Sequence, residues 1–127
     1  MRAPTFTCSA ERTYVLLRYH ADFPGGDLAV QQAALDAVDA ALKLTRLRAV
    51  VFDTREIVEV VETESRDRCW QWAQRRALHD VVALVASSDM VRVQANMRAL
   101  ARRATVRSFP SLEGAAAWVT QRTKQKR

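Results

Sequence analysis

Arg48-Ala49-Val50-Val51-Phe52-Asp53 holds an almost continuous apolar run, with no alternation between polar and apolar positions. A strand that buries one face alternates, so an unbroken run fits a central strand covered on both faces. Val81-Val82-Ala83-Leu84-Val85-Ala86 has the same character. Two covered strands with helical sequence around them predict a mostly parallel sheet joined by right-handed crossovers.

Before the first run, Asp27 is placed to cap a helix reaching about Lys43. Its apolar stripe is Leu28, Leu35, Val38 and Leu42, and Asp36, Asp39 and Lys43 lie away from it. Upstream, Phe23-Pro24-Gly25-Gly26 breaks the chain. Thr5 to Ser9 and Thr13 to Ala21 are rich in β-branched and aromatic residues and read as an antiparallel hairpin. On its second strand Leu16, Arg18 and His20 share a mixed face.

Between the two apolar runs, Glu64 to Leu78 reads as helix, with Cys69 and Trp72 at core spacing. Trp70 and Trp72 cannot point the same way on a helix, so one belongs to the core and the other to its edge or a contact surface. Arg55 to Glu62 stays open between strand extension, irregular loop and helix start. Beyond the second run, Ser88 or Asp89 caps a helix to Arg102 or Arg103 whose stripe of Met90, Val93, Met97 and Leu100 is expected to face inward. Thr105 to Phe109 is the last strand, and Ser111 caps a final helix with Leu112, Ala115, Ala116 and Val119 on its inner face. Leu35, Val38, Val50, Phe52, Val82, Leu84, Val93 and Met97 are expected to share one core. The predicted fold is α/β: a mixed, mostly parallel sheet opened by an antiparallel hairpin and packed with about four helices. One domain spans 1–122, and 123–127 form a basic tail that frays.

Composition agrees. The chain has 127 residues, 49% of them apolar, with only three glycines and three prolines, which fits one packed globule. Cys8 and Cys69 are too few for a disulfide framework and too dispersed for a zinc site. No apolar run is long enough to cross a bilayer, and the N-terminal residues lack a signal-type run, so a cytoplasmic location is expected. Twenty Lys and Arg against fourteen Asp and Glu leave a formal charge of +6, which admits an acidic partner.

Catalytic signatures are weak. His20 and His79 lie on different elements, and there is no phosphate loop or dinucleotide glycine pattern. Gly25-Gly26 reads as a turn, and neither cofactor nor metal is expected. Asp53 is the acid best placed for function, with Thr54 beside it, because parallel sheets gather ligand groups at the carboxyl ends of their strands. Glu56, Glu59, Glu62 and Glu64 read as a solvated acidic segment. Between Arg66 and Arg107 nine arginines face only Asp67, Asp80 and Asp89.

The hairpin and helix over Thr5 to Lys43, the runs at Ala49 and Val81, and Arg107-Ser108-Phe109-Pro110-Ser111-Leu112-Glu113-Gly114-Ala115-Ala116-Ala117-Trp118-Val119 together resemble the STAS superfamily. The nearest likeness is to its SpoIIAA-like branch of small bacterial proteins. That resemblance implies a regulatory binding module. In anti-sigma-factor antagonists it also implies a phosphorylated Ser or Thr near the start of the second helix, after an Asp and before a Gly. Here the corresponding segment is Val61-Glu62-Thr63-Glu64-Ser65-Arg66-Asp67, without that Gly or an Asp-Ser pair, so Thr63 and Ser65 are positional counterparts only.

The reading is therefore a non-enzymatic regulatory protein-binding module, with phosphorylation at Thr63 or Ser65 as an extension. Its contact region is Asp53, Thr54, Thr63, Ser65, Arg66 and Trp70, and a second copy meeting an exposed aromatic face is an alternative partner. The competing reading is an anionic ligand, membrane surface or nucleic acid held by Arg98, Arg102 and Arg103. Specific nucleic-acid recognition is disfavoured because aromatic residues do not interleave with the basic ones. A small hydrolase or transferase using Asp53 with His20 ranks lower still.

Overall fold

A computed structural model describes residues 5–57, 63–77, 80–101 and 106–125. Among them the order is β1 (Phe6–Ala10), β2 (Val15–Tyr19), α1 (Leu28–Thr45), β3 (Ala49–Asp53), α2 (Thr63–Ala77), β4 (Val81–Val85), α3 (Asp89–Ala101), β5 (Val106–Phe109) and α4 (Leu112–Gln125). The strands lie side by side in chain order, β1 antiparallel to β2 and the others parallel. This is the mixed sheet with an opening hairpin that the apolar runs predict. Residues 58–62 of the ambiguous acidic segment lie outside the described residues, as do His79 and Thr105.

Alternation along the strands splits the core in two. Val15, Leu17, Tyr19, Val50, Phe52 and Val82 face α1 and α2, where Leu35, Val38, Leu42 and Trp72 meet them. Leu16, Ala49, Val51, Val81, Ala83 and Val85 face α4, which contributes Ala115 and Val119. Both faces of β3 and β4 are thus covered, the physical reason for their unbroken apolar sequence. Leu84 is partly buried against the first cluster.

The caps follow the sequence. Asp27 Oδ1 accepts the Ala29 and Val30 amides at 3.0 and 3.2 Å, Ser88 Oγ accepts the Val91 amide at 3.3 Å, and Ser111 Oγ accepts the Gly114 amide at 3.2 Å. Helix α1 closes on Arg46 in the left-handed region, φ 61°, with its amide donating to Leu42 O at 2.8 Å. Helix α4 continues to Gln125, so the tail expected to fray from residue 123 is helical as far as it is described.

The orientation of α3 overturns an expectation. Met90, Val93 and Met97, predicted to point inward, are 70%, 57% and 64% exposed, and Val91 is exposed beside them. Val93 and Met97 therefore leave the expected common core; the side chain of Leu100 lies outside the described residues. Helix α3 packs along β5, at the rim of the sheet. A sheet face offers apolar side chains, but a rim offers backbone N–H and C=O groups that must be bonded. The inner side of α3 is accordingly polar. Asn96 Oδ1 accepts the Ser108 amide at 2.9 Å, Ser108 Oγ donates to Arg92 O at 2.9 Å, and Arg92 Nη1 donates to Ala86 O at 2.6 Å. Ala95 is the small buried residue that lets the helix approach, and the apolar residues are left on the outside.

Candidate contact site at the carboxyl ends of the strands

Asp53, the last residue of β3, sits on the α4 face and is 2% exposed. A carboxylate so buried needs partners, and two arginines supply them. Parallel register sets Arg18 of β2 beside Asp53, with Arg18 Nε 3.4 Å from Oδ2. Arg55, two residues on, grips it in bidentate fashion: Nε donates to Oδ1 at 3.0 Å and Nη2 to Oδ2 at 2.8 Å. The Arg55 amide adds a bond to Oδ1 at 3.2 Å. Burial alone pushes this carboxyl up, but the hydrogen bonds and charge of Arg55, helped by Arg18, outweigh it and hold the pKa below the ordinary Asp value.

Thr54 locks the exit of β3 to β4, its amide and Oγ1 both donating to Val85 O at 3.0 and 2.8 Å. A turn follows, in which the Ile57 amide donates to Thr54 O at 3.3 Å. His20 places Nδ1 3.6 Å from Glu56, on this turn. The postulated Asp53–His20 pair is therefore not assembled: Asp53 is held by arginines and His20 faces a different carboxylate. An ionised acid with a lowered pKa is also a poor proton acceptor near neutrality.

Of the remaining expected contact residues, Arg66 is exposed on the first turns of α2, and the side chain of Thr63 lies outside the described residues. Ser65 is 1% exposed and its Oγ has no hydrogen-bond partner. It cannot be a surface contact in this packing, because its helical position turns it toward the core. Trp70 is half-buried and, with Tyr19, Phe52, Thr54, Cys69 and Leu84, lines an apolar cavity of about 70 Å³. That is well under the roughly 150 Å³ that holds a benzene ring. Burial pushes the Cys69 thiol up to about 11 against the smaller opposing effect of the Tyr19 hydroxyl, so it stays protonated and unreactive near neutrality.

The three tryptophans do not form an exposed aromatic face. Trp72 is buried edge-on to Phe52, its Nε1 donating to Asp39 Oδ1 at 3.1 Å beneath the Arg76 guanidinium. Trp118 is packed against Phe109. Arg102 and Arg103, and the side chain of Arg98, lie outside the described residues. Sequence reasoning missed Arg18 and Arg55 as the partners of Asp53. The available signals were the place of Arg18 on the Leu16 face and the Asp-x-Arg spacing at the strand end.

The same end of the sheet carries the start of α3. Thr54 is bonded to Val85, Ala86 is bonded to Arg92, and the exposed Met90, Val91, Val93 and Met97 run outward from there. A clamped, charge-balanced strand end thus adjoins an apolar helix face.

No protein-family model matches the sequence, and no curated protein does. Solved structures do. An uncharacterised DUF3478-family protein with a SpoIIAA-like fold from Shewanella loihica superposes with a TM-score of 0.61 at 10% identity, over 90% of this chain and 91% of that one. The fold is SpoIIAA-like. An anti-sigma factor antagonist from Mycobacterium paratuberculosis also has a TM-score of 0.61, at 15% identity, over 94% of this chain and 98% of that one. The SpoIIAA-like likeness therefore spans nearly the whole domain. No described helix is long and apolar enough to cross a membrane.

Proposed function

We propose that this SpoIIAA-like chain is a non-enzymatic regulatory module that acts by binding another protein. The observation that carries the reading is the exposed apolar stripe of α3. Four large apolar side chains on one short helix are unusual on a free surface and suit a protein contact. Methionines adapt their shape to a partner at little cost in packing. The rim carrying Arg18, Asp53, Arg55 and Glu56 lies at the same end of the sheet and supplies the polar border such a contact needs. An anti-sigma factor antagonist of the same fold supports the choice of a protein partner.

Asp53 acts in this reading as a positioning residue, fixing Arg18 and Arg55 at the rim. Responsiveness to phosphorylation would rest on Thr63, since the Ser65 hydroxyl is closed off by packing. A phosphate there adds about −1.5 to −2 charges beside an acidic stretch and would alter docking by repulsion or by drawing in an arginine.

The test is affinity capture from the native cell with three baits: wild type, Met90→Ser/Met97→Ser, and Lys43→Glu as a surface control on α1. A partner captured by wild type and the control, and lost with the methionine variant, is the expected result. Capture unaffected by the methionine substitutions would reject the α3 face, and no reproducible partner with any bait would reject the module reading.

A further inference from the structure

The two rims of the sheet are treated differently. At β5 the outward amide of Ser108 is bonded by Asn96 of α3. At the other rim β1 pairs only with β2 among the described residues. The phase of that pairing is fixed by its ends: the Glu11 amide donates to Tyr14 O at 2.8 Å and the His20 amide to Thr5 O at 2.9 Å. In an antiparallel ladder hydrogen-bonded and non-bonded pairs alternate. Thr7 and Ser9 therefore direct their backbone groups at β2, and Phe6, Cys8 and Ala10 direct theirs outward. Sheet rims are ordinarily guarded by charge, proline or a bulge, and Phe6-Thr7-Cys8-Ser9-Ala10 has no charge and no proline.

We propose that two copies of this chain join through their β1 rims, antiparallel about a two-fold axis at Cys8, into one continuous ten-stranded sheet. Outward N–H and C=O groups call for an extended strand as occupant, and a second copy uses all of them. Cys8 falls opposite Cys8, and Phe6 falls opposite the small Ala10, so every outward group of the three residues is bonded. The axis stands perpendicular to the sheet, which keeps both α1 helices on one side. The flank of α1 away from α2 carries Val30, Ala37 and Ala41; Val30 and Ala41 pack with Phe6 and Cys8 against the core and extend the contact. The formal charge of +6 does not oppose the approach locally, because Thr7 and Ser9 are uncharged. A five-residue strand pair belongs at the small end of interfaces, below about 1,200 Å², so the dimer should dissociate on dilution. This inference is independent of the α3 partner.

Sedimentation velocity over a concentration series, from about 5 to 500 μM, should show a monomer converting to a dimer. Amide exchange by NMR should find Thr7 and Ser9 protected at every concentration. Phe6, Cys8 and Ala10 should exchange freely when dilute and at least about ten-fold more slowly at high concentration. Ala10→Pro removes an outward amide without touching the β1–β2 ladder and should keep the native circular dichroism while staying monomeric. Thr7→Lys/Ser9→Lys, which sets like charges across the axis, should do the same. A wild type that stays monomeric throughout overturns the proposal. So does a dimer whose outward amides exchange as fast as when dilute, or folded variants that dimerise like wild type.

Discussion

Replacing Arg55 with Met isolates the clamp on Asp53. The substitution keeps the aliphatic stem and the Arg55 amide bond, and removes the two guanidinium bonds at 3.0 and 2.8 Å. A hydrogen bond to a charged group contributes about 1.5–3 kcal/mol. Arg55 is about a third exposed, and solvent screening cuts the summed pair to roughly 2–3 kcal/mol. With a urea dependence of about 2 kcal/mol/M, the midpoint should fall by about 1–1.5 M at pH 7. The pH dependence carries the decisive sign. In the wild type the lowered pKa of Asp53 stabilises the fold above the unfolded value of about 3.9, and this is lost only as pH falls through the folded value. In Arg55→Met, burial is opposed only by the retained backbone amide at 3.2 Å and by Arg18 at 3.4 Å, so the folded pKa rises. The deficit should then be greatest near neutrality and narrow as pH falls toward about 4, where the carboxyl takes a proton and the burial penalty disappears. Urea titrations of both proteins at pH 7 and 4.5 read this directly. A midpoint shift under about 0.3 M at pH 7, or one that is the same at both pH values, would refute the clamp.

Asn96→Leu should lose about 1–2 kcal/mol, because the Ser108 amide is left without its acceptor; Met97→Ser, on the exposed side of the same helix, should change stability by less than about 0.5 kcal/mol in thermal melts. Arg46→Gly relieves a left-handed backbone at φ 61° and should stabilise by about 1 kcal/mol, raising the melting temperature by about 3–4 °C. Cys69, with its thiol raised to about 11, should resist maleimide at pH 7. It should also contribute stability that is complete below the unfolded thiol value of about 8.5 and is lost as pH rises toward about 11; a Cys69→Ala variant that keeps the same alkaline loss would contradict this.

The layering was legible because Val50, Val51, Val82 and Ala83 must each be covered, and an unbroken apolar run records that directly. The caps at Asp27, Ser88 and Ser111 were legible because each is a local bond within three residues. The direction of α3 was not. Its Met90, Val93 and Met97 spacing carries the same periodicity whether it meets a sheet face or looks away from a rim, and only the tertiary position of β5 decides. At the candidate site, the strand-end place of Asp53 could be read, but its partner Arg18 is thirty-five positions upstream and is brought in by β2–β3 register. Ser65 looked like an accessible hydroxyl because the packing of α2 on the sheet is invisible in seven residues of sequence.

The strands lie in chain order, so each new strand can add to the rim of what has already been made, and no strand has to insert between two others. The second sheet face is different. Leu16, Ala49, Val51, Val81, Ala83 and Val85 are covered by α4, the last of these elements to leave the ribosome. Until α4 has emerged that face is bare, while the chain lengthens at roughly 5–20 residues per second. A nascent chain stalled before Ala115 and Val119 would expose a ready-made apolar plane. Docking of α4 is thus the step that hides this plane, and a copy in which that helix is undone would present the kind of apolar surface that drives aggregation.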